Sequence, residues 1–162
     1  MDILWEELTS GIPHGAQLAR VLLRLTVAVL LGSAIGIQRQ RAGKPAGLRT
    51  HMLVSLGTTV FVLACLSVNM TSDGLSRVIQ GIITGIGFIG AGSILKISEE
   101  RNVRGLTSSA GVWMTAAVGV ATGLGSLGLA LLATLFALAV LSFAKRFEHK
   151  VGTRDAAAEG GD

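Results

Sequence analysis

Hydrophobic residues fall into five long runs, at residues 18–37, 51–68, 78–97, 105–121 and 127–143, separated by short polar stretches. The first is about twenty residues, enough for roughly 30 Å of helix, the thickness of a bilayer's hydrocarbon core. The second is shorter and still long enough for a thin bilayer, with Thr50 placed to cap its start. Only Gly123–Ser126 separates the last two runs, which predicts an antiparallel hairpin. The pattern therefore predicts an all-α integral membrane protein, a compact bundle of five transmembrane helices spanning residues 18–143. Residues 1–17 read as an interfacial segment anchored by Trp5, and residues 144–162 as a polar, disordered tail.

Polar positions inside or beside the runs refine this picture. Arg20 and Arg24 lie within the first two turns of the first run, from which their side chains reach outward to the headgroups. Gln80 sits near one end of the third run and reads as a hydrogen-bonding contact between helices. Thr107, Ser108 and Ser109 open the fourth run as caps or back-bonding hydroxyls. His51 reads as a surface histidine and Trp113, near mid-run, as a core residue.

The glycines carry a second pattern. Gly85, Gly87 and Gly90 spell G-x-G-x-x-G, a dinucleotide signature when it follows a strand, opens a helix and precedes an acid about twenty residues on. Here it lies inside an apolar run and the next acids, Glu99 and Glu100, come too early. Close helix packing accounts for it better, because glycine lets backbones approach in lipid. Gly32 and Gly36 form a G-x-x-x-G step, and Gly81, Gly85 and Gly92 share one helix face, predicted to be the contact seam at the centre of the bundle.

Composition agrees with a membrane protein: of 162 residues half are hydrophobic and 15% charged, with a mean hydropathy of +0.63. The first residues carry Asp2, Glu6 and Glu7 and no basic head, so the first span is expected to be retained and not cleaved as an export signal. The single Cys65 is placed as a small buried hydrophobe.

Charge sets the orientation. Arg39, Arg41, Lys44 and Arg49, then Lys96, Arg101 and Arg104, then Lys145, Arg146, Lys150 and Arg154 fall on one side of a five-span topology, and only Arg20, Arg24 and Arg77 on the other. Positive loops stay inside, so the N-terminus is predicted out and the C-terminus in. The net charge of +4 then reflects cytoplasmic loops facing anionic headgroups, and no nucleic acid is called for.

None of the ten acids lies inside a predicted span. A pathway for a hard divalent cation uses oxygen ligands, usually carboxylates, so an autonomous cation pump is disfavoured. No metal site or cofactor is predicted, and motifs for nucleotide hydrolysis, serine hydrolysis or zinc proteolysis are missing, so no enzyme is predicted.

Three stretches together, GSAIGIQRQRAGKPAGLRTHMLV from Gly32, RVIQGIITGIGFIGAGSIL from Arg77 and VRGLTSSAGVWMTAAVGVAT from Val103, resemble the membrane domain of the MgtC/SapB family over residues 18–143. The resemblance implies a bacterial inner-membrane protein of adaptation to low magnesium and, in pathogens, survival inside host cells. The role it implies is accessory or regulatory, exerted on partner membrane proteins. The alternative is a magnesium transporter or channel. Gln38 stands where the family commonly has an acid, which argues against a metal role there. Many members continue into a soluble domain, whose activity is not carried over to a chain ending at Asp162.

Positions matching the family's motifs form the candidate site: Gln38, Arg39, Gly47, Leu48, Arg49 and Thr50 in the first cytoplasmic loop, with Arg104, Gly105, Leu106 and Thr107 in the third. Such a surface suits phosphate or lipid headgroups or a partner's acidic helix, and equally suits the simple task of holding loops inside. Expected partners are the bilayer, other membrane proteins and further copies of the chain, joined through the G-x-x-x-G faces.

Overall fold

The computed structural model describes residues 3–4, 14–96 and 103–158. The expected interfacial anchor Trp5 and the charged run at residues 98–102 lie outside the described residues. The main elements are five helices, α1 (Ala16–Arg41), α2 (Leu48–Ser67), α3 (Ser72–Ala91), α4 (Leu106–Gly123) and α5 (Leu127–Ala158), with two short strands, β1 (Leu95–Lys96) and β2 (Val103–Arg104), between α3 and α4. The strands pair antiparallel, Leu95 with Arg104 and Lys96 with Val103.

Three helices, α1, α2 and α3, are long and apolar enough to cross a membrane, and the apolar part of α5, Leu127–Phe143, is shorter. The architecture is an all-α bundle of the kind that sits in a bilayer. Lipid-facing side chains such as Leu30, Phe61, Phe88 and Phe136 are exposed. The fourth helix differs because it is enclosed: it touches α1, α2, α3 and α5, and ten of its eighteen residues are buried. A helix shielded by its neighbours has no need of an apolar surface all round, and hydroxyl and glycine positions replace one.

Several boundaries move from their predicted places. The first helix runs on to Arg41, so Gln38 and Arg39 belong to its last turns and not to a loop. Basic residues suit a helix C-terminus, where unpaired carbonyls carry partial negative charge. The chain then turns at Gly43, whose φ is +65°, and Gly47, not Thr50, caps α2, with no side-chain hydrogen bond to its first turn. Leu48, Arg49 and Thr50 are therefore helical.

The third helix begins at Ser72, because the Thr71 hydroxyl accepts from the Gly74 N–H at 3.3 Å and Asp73 complements the first turn. Ser72, Asp73 and Gly74, residue types that also favour turns, form its first helical turn. Asp73 thus lies within the helix, exposed and 3.8 Å from Arg77. The same helix stops at Ala91, short of the predicted residue 97, where Ser93 Oγ donates back to the Gly90 carbonyl at 2.8 Å in a Gly-Ser turn. The fifth helix continues past Phe143 to Ala158 through a stretch without proline.

Two apolar clusters fill the bundle. Val54, Ile86, Val112 and Ala116 join α2, α3 and α4, with Ala46 of the α1–α2 loop. Ile35, Val118, Ala121 and Ala130 join α1, α4 and α5. Cys65 is buried and free. Trp113 is not in the core: it is 50% exposed on the outer side of α4.

Candidate functional site

Between the apolar clusters runs a seam of buried polar groups along α4. At its start Arg39 Nη2 donates to Ser108 Oγ at 3.2 Å. Next, His51 Nδ1 lies 2.7 Å from Thr115 Oγ1, and that hydroxyl is 2.9 Å from the Gly111 carbonyl, to which it donates. With its proton directed there, the hydroxyl accepts from His51, so Nδ1 carries the imidazole proton. Below it, Thr59 Oγ1 donates to the Gly119 carbonyl at 2.8 Å. At the far end Arg24 Nη1 donates to the Gly123 carbonyl at 2.8 Å. Four rungs thus tie α1 and α2 to α4 over fifteen residues, about 22 Å of helix.

Burial is nearly complete: Arg39 is 2% exposed, and His51, Thr59 and Thr115 are inaccessible. Glycine makes this possible. A Cβ on Gly32 would lie 2.7 Å from the His51 carbonyl oxygen, one on Gly36 2.7 Å from Leu48 Cα, and one on Gly119 would fall on Thr58 Oγ1. Gly32 and Gly36 therefore face α2 of the same chain, and their surface is already used within one molecule. Gly81 and Gly85, in contrast, have no atom within 4 Å of an added Cβ, and Gly92 meets only carbonyls of its own helix. The seam at the centre of the bundle is formed by Gly32, Gly36, Gly119 and Gly123, because α4 and not α3 is the enclosed helix.

The predicted site residues divide between this seam and the surface. Arg39 enters the bundle, and Leu48 packs beneath Gly36 while its N–H donates to Gln40 Oε1 at 3.3 Å. Gln38 is half-buried, with Oε1 lacking a hydrogen-bond partner among the described residues. Gly47 packs against the Gln40 side chain, and Thr50 is half-buried. Arg49, Leu106 and Thr107 point outward from the first turns of α2 and α4 at the same end of the molecule. Gly105 adopts φ +105°, and an added Cβ would strike the Ser93 carbonyl, so only glycine fits that turn. Arg104 is in β2. Gln80 is exposed on the outer side of α3 and makes no contact with another helix of the chain through a side-chain hydrogen bond among those described.

Sequence reasoning missed interior polar residues that include Ser55, Thr59 and Thr115, and it gave His51 and Ser108 other roles. Their spacing was the available signal. His51, Ser55 and Thr59 recur every fourth residue, and Ser108, Thr115 and Thr122 every seventh, so each set lies on one helix face. His51 in particular is a buried cross-link and not a surface histidine. Ser108 is a hydrogen-bond partner of Arg39 and not only a cap. Among the described residues no group of three or more His, Cys, Asp or Glu side chains could hold a metal ion.

Residues 25–150 match the model of the MgtC family. The chain is 41% identical to protein SrpB of Synechococcus elongatus over 85% of its own length and 81% of that protein's. It is 40% identical to protein MgtC of Salmonella choleraesuis, covering 86% of this chain and 58% of MgtC. It is 38% identical to YhiD of Escherichia coli K12, described as a supposed magnesium transporter, covering 76% of this chain and 60% of YhiD. The alignment thus takes in about three fifths of MgtC and of YhiD. No solved structure matches the chain.

Proposed function

Because the chain belongs to the MgtC family and is a multi-pass protein of the bacterial inner membrane, we propose that it is an accessory or regulatory protein of adaptation to low magnesium, and in a pathogen of survival in the host, that works through contacts with other membrane proteins. The observation that carries this reading is Gln80. It lies eight residues into α3, about 12 Å from the helix start, with its side chain exposed on the outer side of a span. An amide at that depth in hydrocarbon gains about 0.6 kcal/mol, and up to roughly 2, from a hydrogen bond to a neighbouring helix. Thr84, one turn on, is exposed beside it, and only Ile86 and Gly90 of α3 are buried. The third helix therefore offers a partner membrane protein, or a further copy of the chain, a face that its own bundle leaves uncovered.

In this reading the N-terminus is outside and the C-terminus inside, and Gln38, Arg39, Gly47, Leu48, Arg49 and Thr50 with Arg104, Gly105, Leu106 and Thr107 form the cytoplasmic end. Arg49, Leu106 and Thr107 supply its contact surface, while Arg39 fixes the helices beneath. Arg39, His51, Thr59 and Arg24 each bond to α4, which supports a structural seam over an ion path, while His51 Nε2 and Ser55 Oγ lack a hydrogen-bond partner among the described residues. Purified protein in sealed vesicles tests this: no magnesium uptake above protein-free vesicles is expected, and a photo-reactive residue at position 80 is expected to cross-link to a membrane protein in cells. Protein-dependent magnesium uptake would establish the transporter reading instead.

A further inference from the structure

A groove of about 660 Å³ opens between α2 and α3, lined by Leu53, Gly57 and Phe61 on one side and Val78, Gly85 and Ile89 on the other. Its volume falls within the range, roughly 300–1,000 Å³, of pockets that enclose a ligand. We propose that it seats one acyl chain of an anionic phospholipid whose phosphate is held by Arg49.

Length selects the occupant. Leu53 to Phe61 covers about 12 Å of α2 and Val78 to Ile89 about 16 Å of α3, close to the 15 Å or so of hydrocarbon in a single leaflet. A transmembrane helix of a partner would need about twice that. The groove opens toward the end of the bundle that carries Arg49, where Leu53 lies near the start of α2 and Ile89 near the end of α3, and it reaches past the middle of both helices at Phe61 and Val78. Its walls are apolar side chains and glycines, with Thr58 the one hydroxyl among the lining residues, and that hydroxyl is turned to its own helix carbonyls.

Charge selects the headgroup. Arg49 is exposed and stands four residues before Leu53, one turn nearer the membrane surface on the same helix face. Side chains on a helix lean toward its N-terminus, so the guanidinium extends away from the groove to headgroup level. There it can grip a phosphate with two parallel N–H bonds, and anionic lipids are further favoured by about 1 kcal/mol per basic residue near the surface.

The glycines make the groove testable without harming the fold. An added Cβ at Gly57, Gly81 or Gly85 meets nothing within 4 Å, so Gly85→Leu fills the groove and leaves the bundle intact. The experiment is native mass spectrometry of the full chain released from nanodiscs of equal phosphatidylglycerol and phosphatidylcholine. The expected spectrum retains phosphatidylglycerol in at least five-fold excess over phosphatidylcholine. Arg49→Gln should bring that ratio near one while a lipid is still retained. Gly85→Leu should remove the retained lipid, with helix content and oligomeric state unchanged. Equal retention of the two lipids by the unaltered chain, or undiminished retention in Gly85→Leu, would overturn the proposal. Loss of an oligomer in Gly85→Leu would also overturn it, by giving the groove to a second copy.

Discussion

Arg24 and Gly123 stand 99 positions apart in the chain, yet Arg24 Nη1 donates to the Gly123 carbonyl at 2.8 Å. Gly123 closes α4, where carbonyls lack intrahelical donors and carry partial negative charge. The guanidinium also lies against the turn that follows, since a Cβ on Gly125 would come 2.5 Å from Arg24 Nη2. Sequence position alone suggests a side chain reaching for the headgroups, and the structure places it as the clasp of the α4–α5 turn. Arg24→Leu should cost about 1.5–3 kcal/mol, the worth of a hydrogen bond to a charged group. The check is the unfolding midpoint in detergent, with Arg20→Leu, an exposed neighbour, expected to leave it unchanged.

Gly119 and Gly85 should respond oppositely to one methyl group. At Gly119 the new Cβ would fall on Thr58 Oγ1 and the Ser55 carbonyl, so α2 and α4 must separate. Overpacking of this kind costs about 1–3 kcal/mol or more. At Gly85 nothing lies within 4 Å, and alanine raises helix propensity by about 0.8–1 kcal/mol. Thermal unfolding of Gly119→Ala and Gly85→Ala in the same detergent should move the midpoint down for the first and leave it level or raised for the second.

The pair His51 and Thr115 is suited to a double-mutant cycle. Thr115→Val leaves the buried Nδ1–H without its acceptor, at a cost of about 1–3 kcal/mol. His51→Leu removes the donor and leaves Thr115 bonded to the Gly111 carbonyl 2.9 Å away. The coupling between the two changes should fall at about 0.6 kcal/mol, and no higher than roughly 1.7, the span found for hydrogen bonds between membrane helices. A coupling of zero would show that the rung does not join α2 to α4 in the membrane.

Orientation can be read by labelling single cysteines in a Cys65→Ala background. Cys65 is the chain's one cysteine and is buried, so its removal clears the background. Thr107→Cys, exposed at the start of α4, should react with a membrane-impermeant maleimide only in inverted vesicles. Met70→Cys, in the turn between α2 and α3, should react in intact spheroplasts. The reverse pattern would place the N-terminus inside.

Much of the bundle was legible from the sequence because lipid requires long apolar runs, and those runs are visible as text. The positions of all five helices follow from them. Helix ends were less legible. Ser72 and Asp73 favour turns and helix starts alike, and only the Thr71 cap decides between them. Neither could the runs reveal which helix is enclosed. That depends on where α4 goes in three dimensions, and its inward face is marked by hydroxyls and glycines, not by greater hydrophobicity. The candidate site shows the same limit. Motif matching picked residues that the structure gathers at one end of the molecule, yet it could not separate Arg39, which turns inward to Ser108, from Arg49, which turns outward. Gly81 and Gly32 likewise look alike on paper, and the difference between an open groove and a contact of 2.7 Å lies in the neighbour, which the local sequence does not name.

The enclosure of α4 has a consequence for biogenesis. The helix that every other one touches is made fourth, so the three before it leave the ribosome without their common support. Gly32 and Gly36 let α1 and α2 pair at once, since their contact needs only residues already synthesised. The third helix rests mainly on α4 and only lightly on α2, so it must wait in the lipid for a later partner. A chain arrested after residue 104 should therefore hold a protease-resistant α1–α2 pair beside a mobile α3. Completion of α4 is the event that converts inserted helices into one body.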